Sequence, residues 1–292
     1  MLVSTQTQLL GTSYGDAEAI RMLHEAGFPA YDFTMQKMLS KEPDEPLNAD
    51  NYVEYAKGLR ALADELGIVC NQAHAPFTTG KKDQREIFDK IVRSMEVASI
   101  LGAKIIVVHP IQHLPYEENV EELYKMNMEF YKSLIPYCEK FQIKVALENM
   151  WQGVNKSYHI VHSTCSRPEE FCRYLDDLDS EWFVACLDIG HVAVVGESVE
   201  RTIRVLGTKR LQALHVHDNN LCDDLHTLPY TRNINWDLTL KALQEIGYEG
   251  DFTFEADRFL RFLPEPLIPH GLKFMLETGR YMASQIEKKV TK

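Results

Sequence analysis

The chain has 292 residues, a length that fits either two ordinary domains or one α/β barrel, which typically has roughly 250 residues. Hydrophobic residues make up 45% of the chain and charged residues 25%, as in an ordinary globular protein. A net charge of −12, with no Lys/Arg run longer than a pair, disfavours a protein that grips a nucleic-acid backbone.

The cysteine pattern and the hydropathy of the chain indicate where in the cell the protein is expected. Six cysteines are present without a CxxC pair, and a chain of this length does not need disulfide bonds, so we expect reduced thiols. The N-terminal residues do not combine a basic segment with an apolar one, and no apolar run approaches the roughly 20 residues of a membrane helix. We therefore expect a soluble, cytoplasmic protein without a membrane partner.

Short apolar runs alternate with longer amphipathic segments along the whole chain. The predicted strands are residues 4–10, 30–35, 68–77, 103–110, 144–150, 183–192, 211–219 and 251–257. The first of these is assigned because the alternation requires a strand there. The predicted helices are residues 16–26, 50–66, 84–101, 117–140, 168–178, 198–206, 236–246 and 270–288.

Eight strand–helix pairs predict a parallel sheet, and eight is the number that closes a (β/α)8 TIM barrel. A doubly wound open sheet is the alternative. No Gly-rich phosphate loop follows the first strand, which argues against a dinucleotide-binding fold. Because no linker or shift in composition divides the chain, we expect one α/β domain over residues 1–292.

Reactive side chains stand at the ends of the predicted strands, where TIM barrels carry their active sites. The strand-end residues are His74, His109, Glu148, Asp188, His215, His217 and Glu255, and the loops that follow add His191, Asp224 and His226. Strict alternation in strands five to eight turns Glu148, Asp188, His215 and Glu255 away from the large apolar residues and towards the barrel axis.

Three converging carboxylates and one imidazole predict a metal site. Uncompensated, such carboxylates would be very costly to bury, and a divalent cation removes that cost. The mainly oxygen ligand set of Glu148, Asp188, His215 and Glu255 suits Mn²⁺, Zn²⁺, Co²⁺ or Mg²⁺, and we expect no organic cofactor. A structural ion-pair role is the alternative for any one of these groups, and a solvated loop is the alternative for Asp224 and His226.

Seven short motifs, taken in order, resemble the xylose isomerase-like TIM-barrel superfamily. They are HAP (74–76), VVHP (107–110), ALEN (146–149), CLDIGHV (186–192), LHVHDN (214–219), DLH (224–226) and FEAD (254–257). The superfamily includes sugar-phosphate isomerases and epimerases, ketose 3-epimerases, inosose dehydratases, hydroxypyruvate isomerases and endonuclease IV. The resemblance covers residues 68–257, and no single motif is specific for a substrate.

The resemblance implies roles for individual residues. The ketose epimerases imply one metal held by Glu148, Asp188, His215 and Glu255, with the two glutamates as the acid/base pair and His191 touching a substrate oxygen. Endonuclease IV implies three metals instead. The residues that match its cluster are His74, His109, Glu148, Asp188, His191, His215, Asp224, His226 and Glu255.

We therefore predict a metal-dependent isomerase or epimerase that moves a proton next to a carbonyl of a sugar, sugar phosphate or polyol. Glu148, Glu255 and His191 would be catalytic, and His74, His109, His217 and Trp151 would contact the substrate. The alternatives are a zinc-dependent phosphodiesterase at abasic DNA, an inosose dehydratase-like lyase and a non-catalytic binding protein.

The expected partner is a small molecule rather than nucleic acid. Lys156, Arg232 and Arg258 could meet an anion, and the sequence does not rank them. A homo-oligomer is suggested only by the relatives.

Overall fold

The computed structural model describes residues 1–40, 45–77, 84–154 and 159–288. The strands within these ranges are β1 (Val3–Thr5), β2 (Ala30–Thr34), β3 (Val69–His74), β4 (Ile105–Val107), β5 (Lys144–Glu148), β6 (Trp151–Val154), β7 (His159–His162), β8 (Phe183–Asp188), β9 (Leu211–His215) and β10 (Phe252–Phe254). The α-helices are α1 (Gln8–Tyr14), α2 (Asp16–Ala26), α3 (Tyr52–Leu66), α4 (Gln84–Leu101), α5 (Val120–Phe141), α6 (Pro168–Leu178), α7 (Ile189–Val194), α8 (Val199–Arg210), α9 (Trp236–Ile246), α10 (Arg258–Arg261) and α11 (Ile268–Ile286).

Parallel strands close into a barrel. A six-stranded sheet has the order β2-β3-β4-β5-β8-β9, and β1 pairs in parallel with β10. Parallel bridges from Gln6 to Asp32 and from Val216 to Phe254 join these two sheets on both sides. The eight strands therefore form the predicted TIM barrel rather than an open sheet, whereas the extent of the domain, residues 1–292, stays a prediction.

The barrel separates small inner side chains from large outer ones. Inside, a compact apolar cluster contains Ala146, Cys186 and Ala213, which come from three adjacent strands. Outside, large residues such as Leu147 and Leu214 pack in the continuous core between the strands and the helices. This is the alternation that the sequence predicted, and it turns the ends of β5, β8 and β9 inward.

All eight predicted strands end earlier than expected, and in two of them a helix begins inside the predicted range. The first strand stops at Thr5, and residues 8–14 form α1, because a helix brings Leu10 into the core while Gln8 and Thr12 stay exposed. The sixth predicted strand stops at Asp188, whose carboxylate Oδ1 accepts a hydrogen bond from the His191 backbone N–H at 2.7 Å and thereby caps α7.

An antiparallel hairpin formed by β6 and β7 lies outside the barrel and was not predicted from the sequence. All six cysteines are free thiols. Within the described ranges, no helix has the length and apolar character required to cross a bilayer.

Candidate metal centre

Three clusters of ligand-type side chains lie at the carboxyl end of the barrel, among the residues that the structure describes. In each, one ligand atom per residue lies within 4.8 Å of the others. The first cluster contains Glu148, Asp188, His215 and Glu255; the second contains His74, His109 and Glu148; the third contains His191, His217, Asp224 and His226. Glu148 belongs to both the first and the second cluster, so these two are continuous.

The register of adjacent strands builds the first cluster. Asp188 ends β8 directly opposite His215, which ends β9, and Glu148 ends β5. Glu255 follows β10. His215 Nδ1 lies 3.1 Å from a carboxylate oxygen of Glu148 and 3.1 Å from one of Glu255. All four side chains are buried, so the carboxylates meet in a medium that screens their charges poorly.

Asp32 and Gln72 lie beneath the first cluster and hold His215. The Gln72 amide nitrogen lies 3.1 Å from Asp32 Oδ2 and 3.0 Å from His215 Nε2, while Asp32 Oδ2 lies 3.4 Å from His215 Nε2. The two side chains face inward from paired positions of β2 and β3. They occupy the Nε2 side of the imidazole and leave Nδ1 facing the glutamates, the side on which a metal would bind.

The second cluster contains two imidazoles and a shared carboxylate. His109 Nε2 lies 2.9 Å from Glu148 Oε2 and 3.1 Å from His74 Nε2. Burial, together with His109 and His215, lowers the pKa of His74 to about 4. His74 is therefore neutral at physiological pH, the form in which an imidazole binds a metal.

The third cluster is built on the loop after β9. His226 Nε2 lies 2.8 Å from Asp224 Oδ2, and its Nδ1 hydrogen-bonds the Glu255 carbonyl at 2.9 Å. His191 likewise directs Nδ1 to the Asn149 carbonyl at 2.9 Å, and so its Nε2 faces Asp224 at 3.7 Å. Backbone contacts thus fix which nitrogen of each imidazole is turned to the cluster.

His217 packs face to face on His226, with ring centroids 4.1 Å apart. Its Nε2 lies 3.0 Å from Asp188 Oδ1 and 3.5 Å from Asp224 Oδ1, which links the first and third clusters. The sequence analysis assigned His217 to the substrate. The structure places it among the ligand-type groups, beneath the mouth of the barrel.

Ionised carboxylates and protonated imidazoles balance one another in this centre. Burial favours the neutral carboxyl, yet His215 and His109 hold the pKa of Glu148 well below its usual range. Burial likewise opposes ionisation of Asp224, yet His226 and His191 hold the pKa of its carboxyl far below the ordinary value. In return, and against burial, these acidic neighbours raise the pKa of the imidazoles that face them.

The donor set fits divalent cations. Asp188 Oδ2 and Asp224 Oδ1 are buried and accept no hydrogen bond from any residue in the described ranges. Buried carboxylate oxygens without partners are costly unless a cation or water meets them. Mixed carboxylate and imidazole ligands suit Zn²⁺, Mn²⁺ or Co²⁺, and the first cluster, with its oxygen majority, also suits Mg²⁺.

We expect metal affinity to rise with pH, most strongly at the third cluster. Against burial, Asp224 raises the pKa of His226 to about 9, and a proton must leave this imidazole before a metal binds it. Below pH 9 each added pH unit should strengthen binding at this cluster by up to about tenfold, whereas neutral His74 adds no such dependence to the second cluster. Metal content after equilibration at pH 6 and pH 9 measures the effect.

His226→Gln serves as the control for this dependence, because it removes the competing proton together with the ligand. In this variant the pH dependence of metal binding should become weaker, and the raised pKa values of His191 and His215 should account for what remains. Equal metal content of the unmodified protein at pH 6 and pH 9 would contradict the expectation.

Gly190 makes room for His217. A Cβ at Gly190 would lie 1.9 Å from His217 Cε1, closer than two such carbon atoms can approach. Gly190→Ala should therefore displace the imidazole, destabilise the protein by about 1–3 kcal/mol and weaken metal binding by about 10–100-fold. Thermal unfolding and metal titration measure the two effects.

Gly58→Ala is the matched control, since Gly58 lies inside α3 and nothing lies within 4 Å of an added Cβ. It should leave metal binding unchanged and stabilise the helix slightly. If Gly190→Ala bound metal as tightly as this control, the packing role of Gly190 would be wrong.

A cavity of about 720 Å³ lies beside the metal centre. Trp151 lines it, and its ring stands nearly perpendicular to that of His191, with centroids 6.3 Å apart. Phe77 lines it as well and packs against His109 at 4.3 Å. The hairpin that carries Trp151 is tied to the wall, since the Gln152 amide donates to the carbonyls of Gln112 and Leu114. This volume is typical of sites for small molecules.

Asn149 is a further residue that the sequence analysis did not assign. Its side chain accepts a hydrogen bond from the Asp188 backbone N–H at 2.8 Å and donates to the Asp188 carbonyl at 2.9 Å. This clamp fixes the end of β8 against the end of β5. Its position next to Glu148 in the ALEN motif was the available signal.

Comparison with known proteins identifies the family. A sequence profile described as the xylose isomerase-like TIM barrel matches residues 20–278. The chain therefore belongs to the xylose isomerase-like TIM-barrel family, as the motifs indicated. An uncharacterised protein from Methanocaldococcus jannaschii is 30% identical over 213 residues, which cover 68% of each chain. An uncharacterised protein from Sinorhizobium fredii is 25% identical over 171 residues, or 57% of this chain and 52% of that protein.

Solved structures share the fold at low identity. A D-tagatose 3-epimerase-like protein superposes with a TM-score of 0.72 at 22% identity, covering 98% of this chain and 100% of that one. A D-psicose 3-epimerase crystallised with D-fructose gives a TM-score of 0.71 at 15% identity, covering 97% and 99% of the two chains. At these identities the likeness establishes the common fold.

Proposed function

We propose that the protein is a divalent-metal-dependent isomerase or epimerase of a sugar or sugar derivative. The observation that carries the proposal is the pair Glu148 and Glu255, each with a carboxylate oxygen 3.1 Å from His215 Nδ1. Two ionised carboxylates thus lie on the same imidazole nitrogen at the end of the barrel, next to a cavity of about 720 Å³. Trp151, on the wall of that cavity, would provide an apolar face for the substrate.

The chain's own residues account for the proton transfer. Glu148, Asp188, His215 and Glu255 would hold the cation of the first cluster, and a cation held there supplies the positive charge that acidifies a C–H next to a carbonyl. One glutamate takes that proton and the other returns a proton, on the opposite face of the same carbon or at the neighbouring carbon. Against burial, nearby imidazoles hold the pKa of both glutamates low, so either can serve as the base. The glutamate that returns a proton must first take one up from solvent.

The names of structurally similar proteins support the substrate class. The two solved structures described above are named for ketose 3-epimerases, and a third, a 3-keto-D-glucoside 4-epimerase from E. coli, shares the fold at 17% identity. Two of these names specify a sugar epimerase, and the first specifies a protein similar to one. The proposal extends that reaction class to this chain on the strength of the glutamate pair.

Solvent exchange tests the proposal. The metal-loaded protein is incubated in D₂O with a panel of ketoses and ketose phosphates, and deuterium at the carbon next to the carbonyl is followed by NMR. We expect metal-dependent incorporation into at least one ketose, accompanied by an isomer or epimer. Incorporation that persists after removal of the metal, or none across the panel, would contradict the proposal.

A phosphodiesterase acting at abasic DNA is the second candidate, and one observation favours it. The described residues supply three adjacent ligand clusters, two of which share Glu148, whereas an epimerase of the kind proposed needs one. Two or three metals could stabilise in-line displacement at a phosphodiester. The net charge of −12 speaks against a DNA substrate.

A gel assay separates the two candidates. Metal-dependent nicking of an abasic duplex, without any exchange into ketoses, would favour the phosphodiesterase.

A cytoplasmic location and a homo-oligomeric state stay predictions.

A further inference from the structure

We propose that Arg232, Arg258 and Arg261 form a binding subsite for a phosphate monoester carried by the substrate. The inference rests on the proposed function and narrows its substrate class to phosphorylated sugars. The three arginines line one cavity of about 380 Å³, together with Thr227 and Phe259. Arg232 belongs to the loop that follows β9, and Arg258 and Arg261 are the first and last residues of α10, which follows β10.

The charge pattern singles out this cavity. Among the described arginines, those paired with a carboxylate within 4.0 Å are Arg21, Arg60, Arg167, Arg173, Arg201, Arg204 and Arg210. No such pair involves Arg232, Arg258 or Arg261 within the described ranges. A protein with a net charge of −12 thus places three guanidinium groups that form no such carboxylate pair in one concave place.

Two of the three arginines are held by the buried Asp218 and by the loop that carries Asp224. Arg232 donates its backbone N–H to Asp218 Oδ2 at 3.0 Å, and the indole of Trp236 donates to the same oxygen at 3.0 Å. Arg258 donates through Nη1 to the Asp224 carbonyl at 2.6 Å. Each guanidinium group has further N–H donors that these contacts do not use, and its planar fork fits the oxygens of a phosphate.

The location relates the subsite to the reaction. Loops after the seventh and eighth strands of TIM barrels frequently bind phosphate, and β9 and β10 are those strands here. Leu225 and Thr227, which line the cavity, flank His226 of the third cluster. A phosphate bound by the arginines would therefore anchor one end of a substrate whose carbonyl end reaches the metal centre.

Phosphate binding is measured by calorimetry on the metal-loaded protein, with inorganic phosphate as the probe. We compare the unmodified protein, the double variant Arg232→Gln/Arg261→Gln and the control Arg280→Gln. Arg280 is likewise exposed and forms no carboxylate pair within the described ranges, but it lies on α11 and donates to the Gly27 carbonyl. Both variants leave Arg258 and its contact with the Asp224 loop intact.

The double variant should bind phosphate at least about tenfold more weakly, while Arg280→Gln should match the unmodified protein. Phosphate held directly by the metals would not respond to these substitutions. Equal affinity in all three proteins would overturn the proposal. This arm does not depend on turnover, so it can succeed even if no ketose is converted.

Two further arms identify the source of the phosphate. The double variant should raise KM for a ketose phosphate at least about tenfold and change KM for the unphosphorylated ketose far less. A short abasic duplex is titrated by fluorescence anisotropy in parallel. If the double variant weakened duplex binding and left the affinities for inorganic phosphate and the ketose phosphate unchanged, the subsite would belong to a nucleic-acid ligand and the proposal would be wrong.

Discussion

Glu148→Gln is expected to reduce solvent deuterium exchange into the substrate by at least about 1,000-fold. Glu148 contributes to two clusters. Its Oε2 lies 2.9 Å from His109 Nε2, and its Oε1 lies 3.1 Å from His215 Nδ1. The amide cannot act as the base, and it also removes the negative charge that both metal clusters share. The NMR exchange assay and metal analysis of the same preparation measure the two consequences.

Glu255→Gln should also abolish exchange, yet it should leave the second cluster, to which Glu255 does not belong, able to bind metal. Glu96→Gln is the matched control. Glu96 is a partly buried glutamate on α4 that accepts a hydrogen bond from the Tyr52 hydroxyl at 2.8 Å, away from the centre. Full exchange activity in Glu148→Gln would contradict the acid/base assignment, whatever its metal content.

Removing the metal should lower the stability of the protein substantially. Ligand that binds only the native state stabilises it by about 4 kcal/mol when present at about 1,000 times its Kd. For a chain of this size that corresponds to a fall in Tm of about 10 °C after chelation. The physical reason is that chelation would remove the cation from Asp188 Oδ2 and Asp224 Oδ1. These two buried oxygens accept no hydrogen bond within the described residues. Calorimetric melting with and without chelator measures the shift.

Asp188→Asn should abolish most of this metal-dependent shift, because it removes a ligand of the first cluster. Asp176→Asn provides the comparison, since the exposed Asp176 pairs with Arg210 at 2.8 Å on the outer surface. This control should keep the full shift. A Tm that does not respond to chelation in the unmodified protein would show that the clusters do not bind metal strongly in solution.

The metal centre could be predicted from the sequence because alternate residues of a strand face opposite sides of the sheet. Alternation in β5, β8 and β9 placed Glu148, Asp188 and His215 inward, and adjacent parallel strands necessarily end at the same edge. Glycine directly after a helix is a second local signal of this kind. Gly67, for example, has a φ of 73° after α3, a conformation that favours glycine.

Other features were outside the reach of sequence patterns. Asp32 and Gln72 face inward from the middle of their strands, and nothing local distinguishes them from ordinary core positions until their pairing across β2 and β3 is known. The arginine cavity combines positions 232, 258 and 261, and only the barrel closure brings these loops together. Of the cationic residues proposed for an anion, Lys156 lies outside the described residues.

Anomalous scattering from crystals of the metal-loaded protein shows directly whether the ligand clusters at the end of the barrel bind metal. Data collected at the absorption edge of zinc or manganese locate each bound ion without reference to any substrate. We expect a peak bounded by the carboxylates of Glu148, Asp188 and Glu255 and by His215 Nδ1, with further peaks at the second and third clusters if all three fill. Crystals grown at saturating metal that show no peak among these four residues would contradict this expectation.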